Sequence, residues 1–189
     1  MRIISGSNKG KKLIIPKDKT TRPLKDMAKE SIFNILTHAN YINFHLKGSR
    51  VLDLFSGIGS FGLECISRGS KFVFFLENYS PVLEILRNNI ANLKYENKSK
   101  VINIDAFKIN KNTFKIDQKF QIIFCDPPYK EKKIELLIKK IIEMDILEKN
   151  GIIIIHRKKG DLDNYPKKFK VIDTKSYGLS TFVFGKKSN

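Results

Sequence analysis

Asp126-Pro127-Pro128-Tyr129 follows directly on the apolar run Gln121-Ile122-Ile123-Phe124-Cys125, and this junction carries the residues best suited to chemistry. An apolar run that ends in an acid and two prolines reads as a buried strand whose carboxyl end opens into a rigid loop. Neither proline donates a backbone hydrogen bond, and each fixes its own φ at about −65°. The loop therefore holds a carboxylate, a free carbonyl and an aromatic face in one arrangement. Asp126, Pro127, Pro128 and Tyr129 would suit a planar base with an exocyclic amine: two oxygens accept its N–H bonds while the tyrosine ring stacks. The same residues also read as a strand closed by a Pro-Pro turn with Tyr129 half buried, and the motif alone leaves both readings open.

A second constellation lies upstream. Residues 50–64 read Arg-Val-Leu-Asp-Leu-Phe-Ser-Gly-Ile-Gly-Ser-Phe-Gly-Leu-Glu, a short buried strand (Val51 to Phe55), glycines at 57, 59 and 62, then a helical pattern. The spacing is G-x-G-x-x-G in the strand–turn–helix context of a nucleotide-binding βα unit. Gly57 and Gly59, with Phe55 and Ser56, would form a tight turn that approaches a ligand closely, and Gly62 would let the helix pack near the sheet. Asp53 sits inside the strand, where a pyrophosphate would be repelled. A ligand with an α-amino group and a sulfonium centre prefers an acid there, so Asp53 favours S-adenosylmethionine over NAD.

Two further strands end in acids. Phe72 to Glu77 places a carboxylate where it could accept both ribose hydroxyls, and Val101 to Asp105 places one near an adenine amino group, with Ala106 and Phe107 against the ring. Each acid also reads as a helix N-cap or turn residue. The order is what chance explains poorly: strand–acid–Gly loop, strand–acid, strand–acid, strand–Asp-Pro-Pro-Tyr. In a parallel α/β sheet, ligands bind outside the carboxyl ends of the strands, so all four signals would face one crevice.

The elements that must position these groups follow from the rest of the pattern. Residues 2–15 read as two short strands around Gly6 to Gly10. Pro23 precedes an amphipathic helix with Met27, Ile32, Ile35 and Leu36 on one side. Gly48 closes the linker into the first buried strand. Gly69 reads as a helix C-cap. Ser80-Pro81 reads as an N-cap with proline at the first helical position, ahead of the stripe Leu83, Leu86, Ile90 and Leu93. Ile134 to Ile146 reads as a helix, followed by Gly151 and a fifth strand. Phe169 to Asp173 and Thr181 to Phe184 read as a closing antiparallel hairpin.

The chain resembles the Rossmann-like, S-adenosylmethionine-dependent methyltransferases that act on exocyclic amines. Arg2-Ile-Ile-Ser-Gly, Gly10-Lys-Lys-Leu13, Arg22-Pro23 and Lys29-Glu30-Ser-Ile-Phe-Asn-Ile-Leu36 resemble the N-terminal segment of one family, the bacterial small-subunit ribosomal RNA guanine-N2 methyltransferases known as RsmD. The Gly-loop run, the Asp126 tetrad and Tyr177-Gly178 fit it too. The resemblance implies an α/β fold, a seven-stranded sheet with helices on both faces, preceded by a short β-hairpin and helix. Residues 1–47 would be an RNA-contacting extension and 48–189 the methyltransferase domain. It implies S-adenosylmethionine as cofactor and 16S rRNA or the small ribosomal subunit, nascent or mature, as partner. One departure stands out: Ile152 to Ile155 leads into His156-Arg157, where the family pattern suggests an acid.

Composition agrees with one compact enzyme. The chain has 189 residues, 41% of them hydrophobic, enough to bury a full sheet core. No apolar run approaches a membrane span, the start lacks a signal-peptide core, and a cytoplasmic monomer is expected. Cys65 and Cys125 have no metal or redox spacing and read as buried reduced thiols. No metal is expected either.

Lys and Arg number 36 against 19 acids, a net charge of +17, which favours a polyanionic partner. An AT-rich genome would enrich Lys without any binding role, so position says more than the sum. Lys12 and Arg22 in the crowded first 25 residues, Lys130 after the tetrad and Arg157 at the next strand end would rim the crevice as substrate contacts. A DNA adenine-N6 methyltransferase is the alternative enzyme, although the chain leaves little room for a target-recognition insertion. A protein glutamine methyltransferase usually carries Asn in place of Asp126. A non-catalytic nucleotide- or RNA-binding module would leave the tetrad unexplained.

Overall fold

The computed structural model describes residues 1–16, 26–114, 118–128 and 130–188. Its centre is a seven-stranded sheet in the order β3-β2-β1-β4-β5-β7-β6. The strands are β1 (Arg50–Leu54), β2 (Phe72–Glu77), β3 (Ser99–Asn103), β4 (Phe120–Cys125), β5 (Leu147–Lys158), β6 (Phe169–Tyr177) and β7 (Ser180–Lys187). The first five pair in parallel, and β7 runs antiparallel between β5 and β6. The chain winds outward from β1 through β2 to β3, then returns to place β4 on the other flank of β1. The gap between the ends of β1 and β4 is thus the topological switch point, where open α/β sheets bind ligands.

The central strands β1, β2 and β4 and the Ile152 to Ile155 stretch of β5 are apolar on both faces because helices cover both, whereas β3 is an edge strand with no fully buried residue. Val51 packs on one side with α1 (Asp26–His38), α2 (Ser60–Ser67) and α3 (Ser80–Asn92), while Leu52 packs on the other with α4 (Ile134–Glu143). Ile152 to Ile155 are all 0% exposed, and each such burial stabilises by roughly 1.5–3 kcal/mol. Ile3, Leu13, Ile32, Phe33 and Leu36 join the same cluster as Val51 and Phe61, so the segment before β1 shares the sheet's core.

Several local expectations change. The two N-terminal strands reduce to one bridge between Arg2 and Lys12, because the Ile4 and Ser5 amides donate to the Glu64 carboxylate at 2.7 and 2.9 Å rather than to a partner strand. Met27 is 72% exposed while Lys29 is fully buried, so α1 presents Ala28, Lys29, Ile32, Phe33 and Leu36 inward. Ser80 is already helical, and Tyr79 takes the N-cap position without a side-chain cap. Helix α4 stops at Glu143, and Asp145 adopts a left-handed φ of 53° that turns the chain into β5. The fifth strand starts at Leu147, and its pairing with β4 jumps from Phe120↔Leu147 to Ile122↔Ile152.

Two expectations hold as drawn. Gly69, at φ 99°, ends α2 in a Schellman turn, with Ser70 donating to Cys65 O and Gly69 to Ile66 O, both at 3.0 Å. Cys65 and Cys125 are free and buried.

Candidate active site

Register brings the sequence-predicted groups together. Leu54 pairs with Cys125, so the Gly loop and the Asp126 loop leave adjacent strands side by side. The Asp126 amide donates to Leu54 O at 3.3 Å, which stitches the two loops. Phe55, the first residue past β1, sits at φ 60°. A non-glycine residue there costs on the order of 1–2 kcal/mol, the kind of strain that clusters at ligand sites. Gly57 also has a positive φ of 53°, and a Cβ added to it would meet nothing within 4 Å. Gly62 does the opposite work: its missing Cβ would lie 2.3 Å from the Phe75 ring, so only glycine lets α2 rest on β2.

Acids line this edge. Asp53 is buried, and its Oδ2 accepts from the Gly62 amide at 3.0 Å. Burial raises its pKa well above the usual carboxylate range; the Gly62 bond opposes that, and the charges of Asp126 and Glu77 add to it. An acid so poised is favoured in its charged form by a cation nearby. Glu77 accepts from the amides of Gly57 (2.8 Å), Asn78 and Tyr79 (both 2.9 Å), which fixes the loop against the end of β2. Asp105 caps its own short turn by accepting from the Phe107 amide at 2.9 Å. Ala106 is buried beside it, and the rings of Phe55 and Phe107, 5.5 Å apart, form one wall. Ser56 is held in place by donating twice to Leu76 O, at 2.9 and 3.0 Å.

Asp126 is 29% exposed at its side chain, and its Oδ1 lies 2.7 Å from His156 Nδ1. Among the described residues its Oδ2 has no hydrogen-bond partner. Pro127 is buried and Pro128 exposed, whereas Tyr129 lies outside the described residues. Of the basic rim, Lys12 and Lys130 are exposed and Arg22 lies outside the described residues. Arg157 is buried. Its guanidinium donates to Asp163 at 2.7 and 3.0 Å and to Glu131 O at 3.0 Å, so it braces the far end of the Asp126 loop instead of presenting charge to solvent. A cleft of about 430 Å³ opens there, lined by Lys130, Lys132, Arg157 and Asp163.

The whole chain can be matched to known proteins. A family model described as "Conserved hypothetical protein 95" matches residues 1–186. Ribosomal RNA small subunit methyltransferase D of Haemophilus influenzae is 31% identical over 186 residues, covering 96% of this chain and 91% of that protein. The chain belongs to the RsmD family. YlbH of Bacillus subtilis is 34% identical over 188 residues, 99% of each chain. The solved structure of HI0767 from Haemophilus influenzae superposes with a TM-score of 0.77 at 29% identity, covering 100% of this chain and 98% of that one. At 24% identity, yhhF of Escherichia coli, with a TM-score of 0.81 and the same coverage, shows the shared fold.

Within the family frame, sequence reasoning missed three groups that hold the site. Glu64 and Lys29 form a buried pair, 3.6 Å apart, under the N-terminal segment; the signal was a lysine on the inner stripe of α1. Asn89 donates to both Ile14 O and Ile58 O at 3.1 Å and accepts from the Ile14 amide at 2.7 Å, tying the N-terminal arm to the Gly loop. A polar residue one place before Ile90 in an apolar stripe was the clue. His156 stands out in the sequence only as a departure from an expected acid, and nothing there points to its bond to Asp126. No helix among the described residues is long and apolar enough to cross a membrane.

Proposed function

We propose that this protein transfers a methyl group from S-adenosylmethionine to the exocyclic N2 amine of a guanine in small-subunit (16S) ribosomal RNA. The observation that carries the reading is the half-satisfied carboxylate of Asp126 at the switch point, beside a Gly loop open to a ligand. The names of the family relatives, small subunit methyltransferase D among them, support the RNA substrate.

The residues around the Gly loop fit S-adenosylmethionine. Gly57 leaves room for close approach, and the acids Asp53, Glu77 and Asp105 offer negative potential and acceptor oxygens to a ligand with a cationic centre, an amino group and ribose hydroxyls. Phe55, Ser56, Gly59 and Ala106 complete that wall. When bound, the cofactor supplies an electrophilic methyl group on positively charged sulfur.

The chain's own residues meet the demand on the other side. A guanine N2 lone pair is delocalised into its ring and is a weak nucleophile. Asp126 Oδ2 and the Pro127 carbonyl accept the two N–H bonds of the amine, which draws the nitrogen toward tetrahedral geometry and localises its lone pair. Positive charge builds on nitrogen in the transition state, and Asp126 stabilises it from a fixed position. Pro128 stiffens the loop, and Tyr129 stacks on the base to hold the near-attack distance. Lys12, Arg22 and Lys130 contact the RNA backbone, and Arg157 holds the loop that carries Lys130. The target base is reached in an exposed loop or after flipping.

The test is methyl transfer from labelled S-adenosylmethionine to small subunits lacking their guanine-N2 methylation. Naked rRNA and unmethylated DNA run beside them, and products are resolved as nucleosides. N2-methylguanosine is expected in the RNA lanes. N6-methyladenine in DNA would transfer the assignment to an adenine enzyme, and no product in any lane would sink the reading.

A further inference from the structure

His156 occupies the position where an acid was expected, and its surroundings give it a task. It stands at the carboxyl end of β5, is 5% exposed, and points Nδ1 at Asp126 Oδ1 across 2.7 Å. Its ring lies flat against Phe182, with centroids 4.5 Å apart and planes 16° from parallel. Phe182 is its registered partner on β7 and is itself fully buried, so the antiparallel strand is what sets the imidazole plane. Strand β5 thus clamps the loop at two points: His156 on the first residue, Asp126, and Arg157 on the carbonyl of Glu131.

We infer that His156 is the positioning residue of Asp126, donating Nδ1–H to Oδ1 so that the carboxylate is held in one plane with Oδ2 turned to the substrate amine. This rests on the proposed role of Asp126. The chemistry favours imidazole over an acid at this distance. A second carboxylate 2.7 Å away would have to share a proton with Asp126, and a shared proton weakens it as an acceptor. A neutral imidazole donates one hydrogen bond and leaves Asp126 its full charge. The ring stack removes the rotational freedom that an exposed histidine would keep, so the alignment is set before substrate arrives. Because Oδ1 is occupied, only one carboxylate oxygen is left for the amine; the second acceptor must then come from the backbone, as the Pro127 carbonyl does.

Two variants separate positioning from mere packing. His156→Phe keeps a flat ring against Phe182 and removes the donor. His156→Asn places its amide nitrogen where Nδ1 stood and forfeits the ring. The expected result is a fall in kcat on the order of 10- to 100-fold for His156→Phe, with KM for RNA and cofactor affinity within twofold, and recovery of most of kcat in His156→Asn despite its lost stacking. Wild-type kcat in His156→Phe, or losses in both variants that follow their melting temperatures, would overturn the inference. Nitrogen-15 NMR of the imidazoles decides the pairing without any assay of turnover. His156 should carry its proton on Nδ1 in the wild type and lose that preference in Asp126→Ala. A proton on Nε2 in the wild type would end the proposal. A wild type with the Nδ1 proton but no transfer to any RNA would instead condemn the functional reading while the pairing stood.

Discussion

Glu64 and Asp126 are both carboxylates in a largely apolar setting, and the fold treats them in opposite ways. Glu64 is fully buried in the middle of α2, and both oxygens are engaged: Oε2 by the Ile4 amide at 2.7 Å and Lys29 at 3.6 Å, Oε1 by the Ser5 amide at 2.9 Å and Arg68 at 2.7 Å. Asp126 stands at a strand end, partly exposed, with Oδ1 on His156 and Oδ2 open among the described residues. A carboxylate with every lone pair answered is a fastening: here it rivets the N-terminal segment and α1 onto the sheet domain. One left half answered at the switch point is free to take a ligand. The difference lies in the number of donors the surroundings supply: among the described residues, two backbone amides and two cationic side chains for Glu64 against one imidazole for Asp126.

The sharpest way to break this comparison is to truncate both. Glu64→Ala should cost about 3–5 kcal/mol of stability, because it leaves the buried Lys29 without its charge partner and the part-buried Ile4 and Ser5 amides without their acceptor. Burial already lowers the Lys29 pKa, with Glu64 the main force opposing it, so removing Glu64 lets burial dominate. Urea unfolding measures the loss, and accelerated exchange at the Ile4 and Ser5 amides would show the segment releasing first. Asp126→Ala should leave the unfolding midpoint nearly unchanged and lower kcat by about 10²–10³-fold, as removal of a transition-state partner does. A stable Glu64→Ala, or an Asp126→Ala that unfolds early, would mean that the two acids have been assigned the wrong way round.

The same contrast explains what was legible in the sequence. Strand ends followed by acids are local signals, so Asp53, Glu77, Asp105 and Asp126 could be placed on one edge from the order of elements alone. The sheet was legible for the same reason: β1, β2, β4 and the Ile152 to Ile155 stretch of β5 are short apolar runs bounded by polar or turn residues. Glu64, Lys29 and Asn89 were not, because nothing local says that a charge on a helix will meet a donor 60 residues away, as Glu64 meets Ile4. The N-terminal strands shorten to a single bridge on the same ground: the Ile4 and Ser5 amides are claimed by a distant side chain, while Ile3 and Leu13 still donate across to Lys11 O and Met1 O. His156 was visible as a departure, but its bond to Asp126 depends on the register of β5 beside β4, which the sequence pattern does not specify.

Gly62 sharpens the comparison by linking the two regions. It lies two residues before Glu64 on α2, yet its amide binds Asp53 at the end of β1, the edge proposed to take the cofactor. In Gly62→Ala the new methyl would sit 2.3 Å from Phe75 Cε1 and 2.8 Å from Val73 Cγ1, so α2 must lift from β2. Overpacking of this kind costs about 1–3 kcal/mol. The shift should also lengthen the bond to Asp53 and weaken cofactor binding, which isothermal titration would read beside the melting temperature. If stability falls while cofactor affinity is untouched, the packing role and the electrostatic role of α2 are separable.

Asp145 gives the smallest effect and completes the series, as a carboxylate with partners but almost no burial. Lys119 at 2.7 Å and Lys187 at 2.6 Å hold its side chain, which is 52% exposed. Hydrogen bonds from the two lysines lower its pKa to about 2, against about 3.9 for an unperturbed aspartate. A depressed acid contributes its stability above the unfolded pKa and loses it as pH falls through the folded one. The advantage of the wild type over Asp145→Asn should therefore be constant above about pH 5 and shrink from about pH 4 toward about pH 2. Solvent screening keeps it within about 1 kcal/mol, and added salt should erode it. Urea midpoints of both proteins at pH 6 and at pH 3.5, in low and high salt, make the measurement. A difference as large as that for Glu64, or one indifferent to salt, would show that burial is not what separates a fastening carboxylate from a surface one.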